Sequence, residues 1–264
     1  MMIHKKLISK FNFCGKDVFF LVLIVVCGLL SIWSYFKLDQ QVFSWLCQKP
    51  PGWGENFFEE TIAYLGKTWL PVWLLLVWFI ATGKQRPVLV ALLALIIVLL
   101  IVTPLKVSVG RPRPREVKVG QIVEKPHNLR GYASFPSGDT ASVFAVATAV
   151  IFFVSWRWAP LLLSACTAVG LLRVTAMAHY PSDVFAAAAI GSFAGWLALQ
   201  IDKKWSLLKP PRFNLTRGIA MLAIIIIPLV LELSKGFDKL SIFFEVYVPL
   251  AVFIFLAAKR DSGK

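Results

Sequence analysis

Apolar runs long enough to cross a bilayer recur along this chain, and its polar residues gather in short clusters between them. A helix needs about 20 residues, at 1.5 Å each, to span ~30 Å of hydrocarbon. Such windows fall at 18–36, 69–82, 88–103, 140–155, 159–178, 184–201, 219–233 and 242–258, several of them slightly short, so that their limits shift by a few residues. Composition agrees. Of 264 residues, 58% are hydrophobic and 16% charged, with mean hydropathy +0.73, whereas a soluble domain averages about 45–50% apolar and about 25% charged. So few polar groups cannot cover a surface facing water. Disorder, collagen-like repeats and a small disulfide scaffold are excluded on the same ground. The reading is an all-α integral membrane protein of eight spans.

The first run follows Lys5, Lys6, Lys10 and Lys16, and no small-residue cleavage site comes after it. It therefore reads as a membrane helix and not as a signal peptide. Between the first two spans, Phe57, Phe58, Ile62 and Leu65 share one helical face opposite Glu59 and Glu60. That pattern suits a helix lying in the interface, or equally a partly exposed connecting helix. With no internal repeat, low-complexity tract or long linker, 1–264 is expected to form a single transmembrane domain. Cys14, Cys27, Cys47 and Cys166 have no CxxC spacing, so they read as ordinary membrane-helix residues, and no metal site is expected.

The net charge is +14, which by itself would suit nucleic acid. The basic residues, however, sit in short loops between spans without interleaved aromatics, so anionic headgroups or a phosphorylated substrate are the expected partners and nucleic acid is not. No obligate protein partner is indicated. With the N-terminus in the cytoplasm, fifteen Lys and Arg fall inside and thirteen outside, eight of the thirteen lying in 106–130 and at Arg173. Those eight are read below as anion-binding; without them the contrast is fifteen to five, the usual positive-inside bias. Trp156, Trp158 and Trp205 near the inner edge agree. Both termini are then cytoplasmic, and loops 104–139 and 179–183 face outward.

Three polar clusters share that outer face. The first runs from Lys106 through Arg111 and Pro112 to Arg113 and Pro114, cations on a backbone restricted by prolines. Alone it would be a headgroup-contacting loop. The second, from Ser134 to Thr140 with Pro136, Ser137, Gly138 and Asp139, reads as a turn opening a helix, whose N–H groups and dipole favour an anion. An ordinary N-cap by Ser137 or Asp139 would also explain it. In the third, Arg173, His179 and Asp183 stand at one membrane edge, with Pro181 suited to a first helical turn. Such groups are costly there and suggest function, although a snorkelling Arg and a capping Asp are the plain alternative. Several cations, one imidazole and two carboxylates on one face together suit a phosphate monoester or diphosphate.

Lys106-x6-Arg113-Pro114, then Pro136-Ser137-Gly138, then Arg173-x5-His179-x3-Asp183 resemble the three signature motifs of the type 2 phosphatidic acid phosphatase family, in order, spacing and position among the spans. The resemblance covers about 80 residues. It implies a six-helix core in 1–201 with a two-span extension in 202–264, in a bacterial-type inner (plasma) membrane with the site facing the periplasm. It further implies metal-independent phosphoryl transfer without cofactor. Lys106, Arg113 and Arg173, with Ser137 and the Gly138 amide, would clamp the phosphate. His179 would be the nucleophile, forming a phosphohistidine that water hydrolyses, and Asp183 would hold its other ring nitrogen.

Two positions depart from the family pattern. Leu172 stands where Ser is usual, and Asp139 stands where the second motif ends in a general-acid His. An ordinary carboxyl is ionised at neutral pH and has no proton to give. Three resolutions are open: the pocket keeps Asp139 protonated so that it serves as the acid; a diphosphate substrate needs less acid help; or the chain binds phospholipid without turnover. Some family members acting on lipid A sugar phosphates resemble this chain in having Gly-Asp there. The expected function is hydrolysis of a phosphate monoester or diphosphate of a lipid: lipid A, an isoprenoid diphosphate, or phosphatidylglycerol phosphate or phosphatidic acid. The alternatives are phosphoryl transfer to an acceptor lipid, or non-catalytic lipid binding or transport. The long spans carry few mid-membrane polar residues, which speaks against a transport path.

Overall fold

The structure, a computed structural model, describes residues 15–48, 85–118 and 133–205. Among them are seven α-helices: α1 (Gly15–Lys37), α2 (Asp39–Cys47), α3 (Gln85–Val109), α4 (Pro114–Lys118), α5 (Gly138–Ile151), α6 (Ala159–Thr175) and α7 (Pro181–Trp205), with a 3-10 turn at Trp156–Trp158 before α6. Four stretches are long and apolar enough to cross a membrane: Gly15–Lys37, Arg86–Val109, Trp156–Thr175 and Pro181–Lys204. The chain is an all-helical, multi-pass membrane protein. The spans expected at 69–82, 219–233 and 242–258, and the helix expected around 57–65, lie outside the described residues.

These helices follow from their solvent. In hydrocarbon every backbone polar group must be satisfied within the segment, which an α-helix does. On α1, Val22, Val25, Leu29, Ile32 and Phe36 point outward, a face that only lipid would tolerate. By contrast α5 is wrapped by α3, α6 and α7 and buried along nearly its whole length. Its closest neighbour is α7, and Gly191 permits the approach: a Cβ there would lie 2.2 Å from the Ala141 carbonyl oxygen. Small residues at such crossings let membrane helices pack backbone to backbone.

Polar contacts tie the bundle at both ends. At one end the buried Asp17 carboxylate accepts from Trp196 Nε1 (3.1 Å), Gln200 Nε2 (2.9 Å) and Lys203 Nζ (3.5 Å). Beside it, Lys16 Nζ donates to the Ile151 and Val154 carbonyls at 2.8 and 3.2 Å, serving the C-terminal end of α5. Arg86 pairs with Asp202 at 2.7 Å. The other end carries the three motif clusters.

One boundary differs from the sequence reading in a way that matters for chemistry. Lys106, expected to open the outer loop, lies in the last turn of α3. Pro104 does not stop this helix, consistent with the tolerance of membrane helices for proline where neighbours re-satisfy the backbone. The helix ends at Val109 because Gly110 takes a left-handed conformation (φ 57°) while its N–H still reaches the Lys106 carbonyl at 3.1 Å, the common glycine stop.

Candidate active site

Past Gly110 the chain runs back across the end of the bundle. Pro112 pairs with Ala133 in an isolated antiparallel bridge, and the Ser134 N–H donates to the Arg111 carbonyl at 2.7 Å. Lys106 Nζ reaches over to the Ala133 carbonyl at 3.0 Å. The Arg115 N–H, in the first turn of α4, donates to the Met177 carbonyl at 3.0 Å. By these bonds the first and second motif segments, and the loop leading to the third, hold one another.

Ser137 caps α5. Its backbone is extended (φ −70°, ψ 111°), and its Oγ accepts from the Thr140 N–H at 3.5 Å and meets Thr140 Oγ1 at 2.9 Å. Gly138 follows as the first helical residue. The Ser137 N–H donates to the Asp183 carbonyl oxygen at 3.3 Å, which fixes the start of α5 against the start of α7. Pro181 opens α7 as its first residue, where a missing N–H costs nothing.

The third motif bends sharply between α6 and α7. The N–H groups of Ala178 and His179 both donate to the Arg173 carbonyl at 3.1 Å. His179 is 4% exposed and Asp183, one turn on, 0%. Nδ1 of His179 lies 3.8 Å from Asp183 Oδ2, too far for a hydrogen bond, and 3.5 Å from Ser134 Oγ. Ser134 Oγ donates to Asp183 Oδ2, so the hydroxyl links ring and carboxylate. Asp183 Oδ2 also accepts from the Tyr180 N–H at 2.8 Å, and Oδ1 from Arg111 Nη1 at 3.0 Å.

The electrostatics favour a neutral ring. Burial pushes the His179 imidazolium below its ordinary range; Lys106 and Arg113 push the same way, and the opposing pull of Asp183 does not overcome them. A neutral imidazole has a lone pair to offer, as a nucleophile needs. Arg113 is lowered too, first by burial and then by Arg115 and Arg173, with Asp139 and Glu116 opposing. Its Nε is buried with no hydrogen-bond partner among the described residues, and a buried unpaired guanidinium nitrogen calls for an acceptor. Asp139 and Arg173 form an ion pair, Oδ2 to Nη2 at 2.9 Å.

Lys106, Arg113, Ser137, Gly138, Asp139, Arg173, His179 and Asp183 thus stand at one end of the bundle, joined by these contacts and fields. Four further residues belong to the arrangement: Arg111 and Ser134, which the sequence placed in the first two clusters but outside the signature motifs, and Tyr180 and Asp39, which sequence reasoning did not single out. The first three sit inside or beside the motifs. Asp39 offered only the signal of a lone carboxylate at the end of an apolar run. Among the described residues no group of three or more His, Cys, Asp or Glu could hold a metal ion.

Residues 87–207, which run from the first turns of α3 through α7, match the PAP2 superfamily. No curated protein matches the sequence. Among solved structures the chain is similar to LpxE from Aquifex aeolicus, with 28% identity over 62% of this chain and 95% of that one, at a TM-score of 0.49. It is also similar to the transmembrane PAP2-type phosphatidylglycerolphosphate phosphatase from Bacillus subtilis, with 20% identity over 76% of this chain and 98% of that one, again at 0.49.

Proposed function

We propose, for a chain that matches the PAP2 superfamily over residues 87–207, that it is a member of that family and a lipid phosphatase removing a phosphate monoester or diphosphate through a phosphohistidine. The observation that carries the reading is the buried His179–Asp183 pair beside Lys106, Arg113 and Arg173. Cations around an imidazole suit phosphoryl transfer, where catalysis is mainly positioning and charge stabilisation.

In the first step the His179 Nε2 lone pair forms a bond to phosphorus, and the bond from phosphorus to the lipid oxygen breaks, its electron pair staying on that oxygen. Lys106, Arg113 and Arg173 bind the non-bridging oxygens, joined by Ser137 and the Gly138 amide at the α5 N-terminus. Asp183 stabilises the ring as it becomes cationic. In the second step water attacks phosphorus, the P–N bond breaks, and inorganic phosphate leaves with His179 restored. The substrates favoured by this reading are lipid A, an isoprenoid diphosphate, and phosphatidylglycerol phosphate or phosphatidic acid.

Purified protein in detergent should release phosphate from members of a panel of these lipids with chelator present. Absence of release from every lipid would overturn the reading. The panel also tests Asp139. An acid role for Asp139 requires the bound phosphate to take over Arg173, its ion-pair partner, and it matters most when the leaving group is a lipid alcohol, so Asp139→Asn should slow monoester hydrolysis by about 10²-fold and diphosphate hydrolysis much less. Its loss also removes a carboxylate charge 2.9 Å from Arg173 that would repel an anionic substrate, so KM should fall for both classes. Equal slowing of both classes, or none, would remove Asp139 from proton transfer.

The site is proposed to face outward, with both termini in the cytoplasm. A membrane-impermeant thiol reagent should label Lys118→Cys in intact cells, in a background where the four native cysteines are replaced. Labelling only after lysis would invert this orientation.

A further inference from the structure

Arg111 sits among the motif cations, yet its contacts are of another kind. Nη1 donates to Asp183 Oδ1 (3.0 Å) and Ser182 Oγ (2.8 Å), and Nη2 to Asp39 Oδ2 (2.8 Å). Its guanidinium carbon lies 3.7 Å from the Tyr180 ring centroid and 5.1 Å from that of Tyr35. A guanidinium bridging two carboxylates and stacked between rings is held in one geometry; it is not a spare cation for phosphate.

Asp39 is fixed just as closely. It is buried, Oδ1 accepting from the Ser182 N–H (2.9 Å) and Ser34 Oγ (3.1 Å), and Oδ2 from Ser182 Oγ. Ser31 Oγ donates to the Ser182 carbonyl at 2.8 Å. The end of α1 and the first residue of α2 are thereby bonded to the first turn of α7.

We infer that Asp39 and Arg111 are positioning residues for the His179–Asp183 pair, forming a carboxylate–guanidinium–carboxylate relay through which the α1–α2 corner becomes part of the active site. The inference rests on the catalytic reading above. The logic of two carboxylates is one of charge. Arg111 bound to Asp183 alone would cancel the field that Asp183 exerts on the ring. Shared with Asp39, Arg111 still orients Asp183 but leaves it enough negative charge to support a ring that turns cationic on phosphorylation.

Kinetics and a direct titration of His179 test this. The groups facing that ring are Lys106 from α3, Arg113 and Ser134 from the connecting segments, and Asp183 from α7. Only three histidines exist, His4, His127 and His179, so ¹⁵N-histidine NMR of the full chain in detergent resolves it, with His179→Ala for assignment. Removing the cation in Arg111→Gln should move the His179 titration to higher pH. Removing the outer anion in Asp39→Asn leaves Arg111 wholly on Asp183 and should move it to lower pH. With dioctanoyl phosphatidic acid as probe, both variants should lose kcat by up to ~10²-fold, the effect of small misplacement at a reacting centre, with KM nearly unchanged. Arg111→Lys, which keeps the charge but not the fork, should recover part of the loss.

Opposite titration shifts support the relay; shifts in the same direction, or none, overturn it. If the wild-type chain hydrolyses the probe while both variants keep its kcat and its titration, the relay falls and the catalytic reading stands. If no lipid is hydrolysed but the titrations move apart, the catalytic reading falls and the relay stands as a positioning device.

Discussion

Replacing His179 with alanine is expected to bring phosphate release close to background, a loss of at least ~10⁴-fold in kcat, as when a nucleophile is removed from a covalent mechanism. The other imidazoles, His4 and His127, lie outside the described residues, and the mechanism assigns them no part. The effect should be separable from misfolding. The backbone N–H of His179 stays bonded to the Arg173 carbonyl at 3.1 Å, and His179→Asn restores some of the buried volume without a ring nitrogen. Rapid acid-free quenching during turnover of ³²P-labelled lipid should trap an acid-labile phosphoramidate on the wild-type protein and none on His179→Ala. Undiminished turnover by the alanine variant would dismiss His179 as the nucleophile.

Asp183→Asn should also be damaging, with up to ~10⁴-fold lost from kcat, the scale seen when a carboxylate bonded directly to a catalytic imidazole becomes an amide; here the Ser134 hydroxyl links the two. The carboxylate accepts on every side, from Arg111, Ser134 and the Tyr180 N–H. An amide must turn its NH2 toward one of these donors, whichever way it is placed. That clash leaves a buried donor unsatisfied, costing about 1–3 kcal/mol of stability. A 10⁴-fold rate loss corresponds to about 5.5 kcal/mol, so activity should suffer well beyond stability when melting and turnover are measured on the same preparation. A kcat within tenfold of wild type would show that Asp183 serves the fold and not the chemistry.

How much of this was legible in the chain depends on the range over which each feature is decided. The membrane helices are local: 18–36 and 184–201 are apolar because each must satisfy its own backbone in lipid, and α1 and α7 contain those windows. The cap at Ser137 and the start at Pro181 were equally readable, since turn and cap chemistry acts over three or four residues. The end of α3 was not, because hydropathy falls at Lys106 while the helix continues to Gly110, whose left-handed turn is what stops it. Still less legible were the pairings of Asp139 with Arg173 and of Arg111 with Asp39. Charges of opposite sign abound at that face, and only the packing of α1, α5, α6 and α7 decides which ones meet.

The shortness of α5 has a consequence for how a lipid is reached. Its 14 residues extend about 21 Å, less than the ~30 Å thickness of hydrocarbon. Because its neighbours screen it from the acyl chains, it need not match the bilayer, and its N-terminus can stop at a depth no lipid-facing span could choose. A dipole end set below the headgroup plane would let a phosphate descend into the pocket while its tails stay in oil. A lipid phosphatase built in this way would avoid drawing methylenes into water, at about 0.8 kcal/mol for each, and the travel would be left to the polar head.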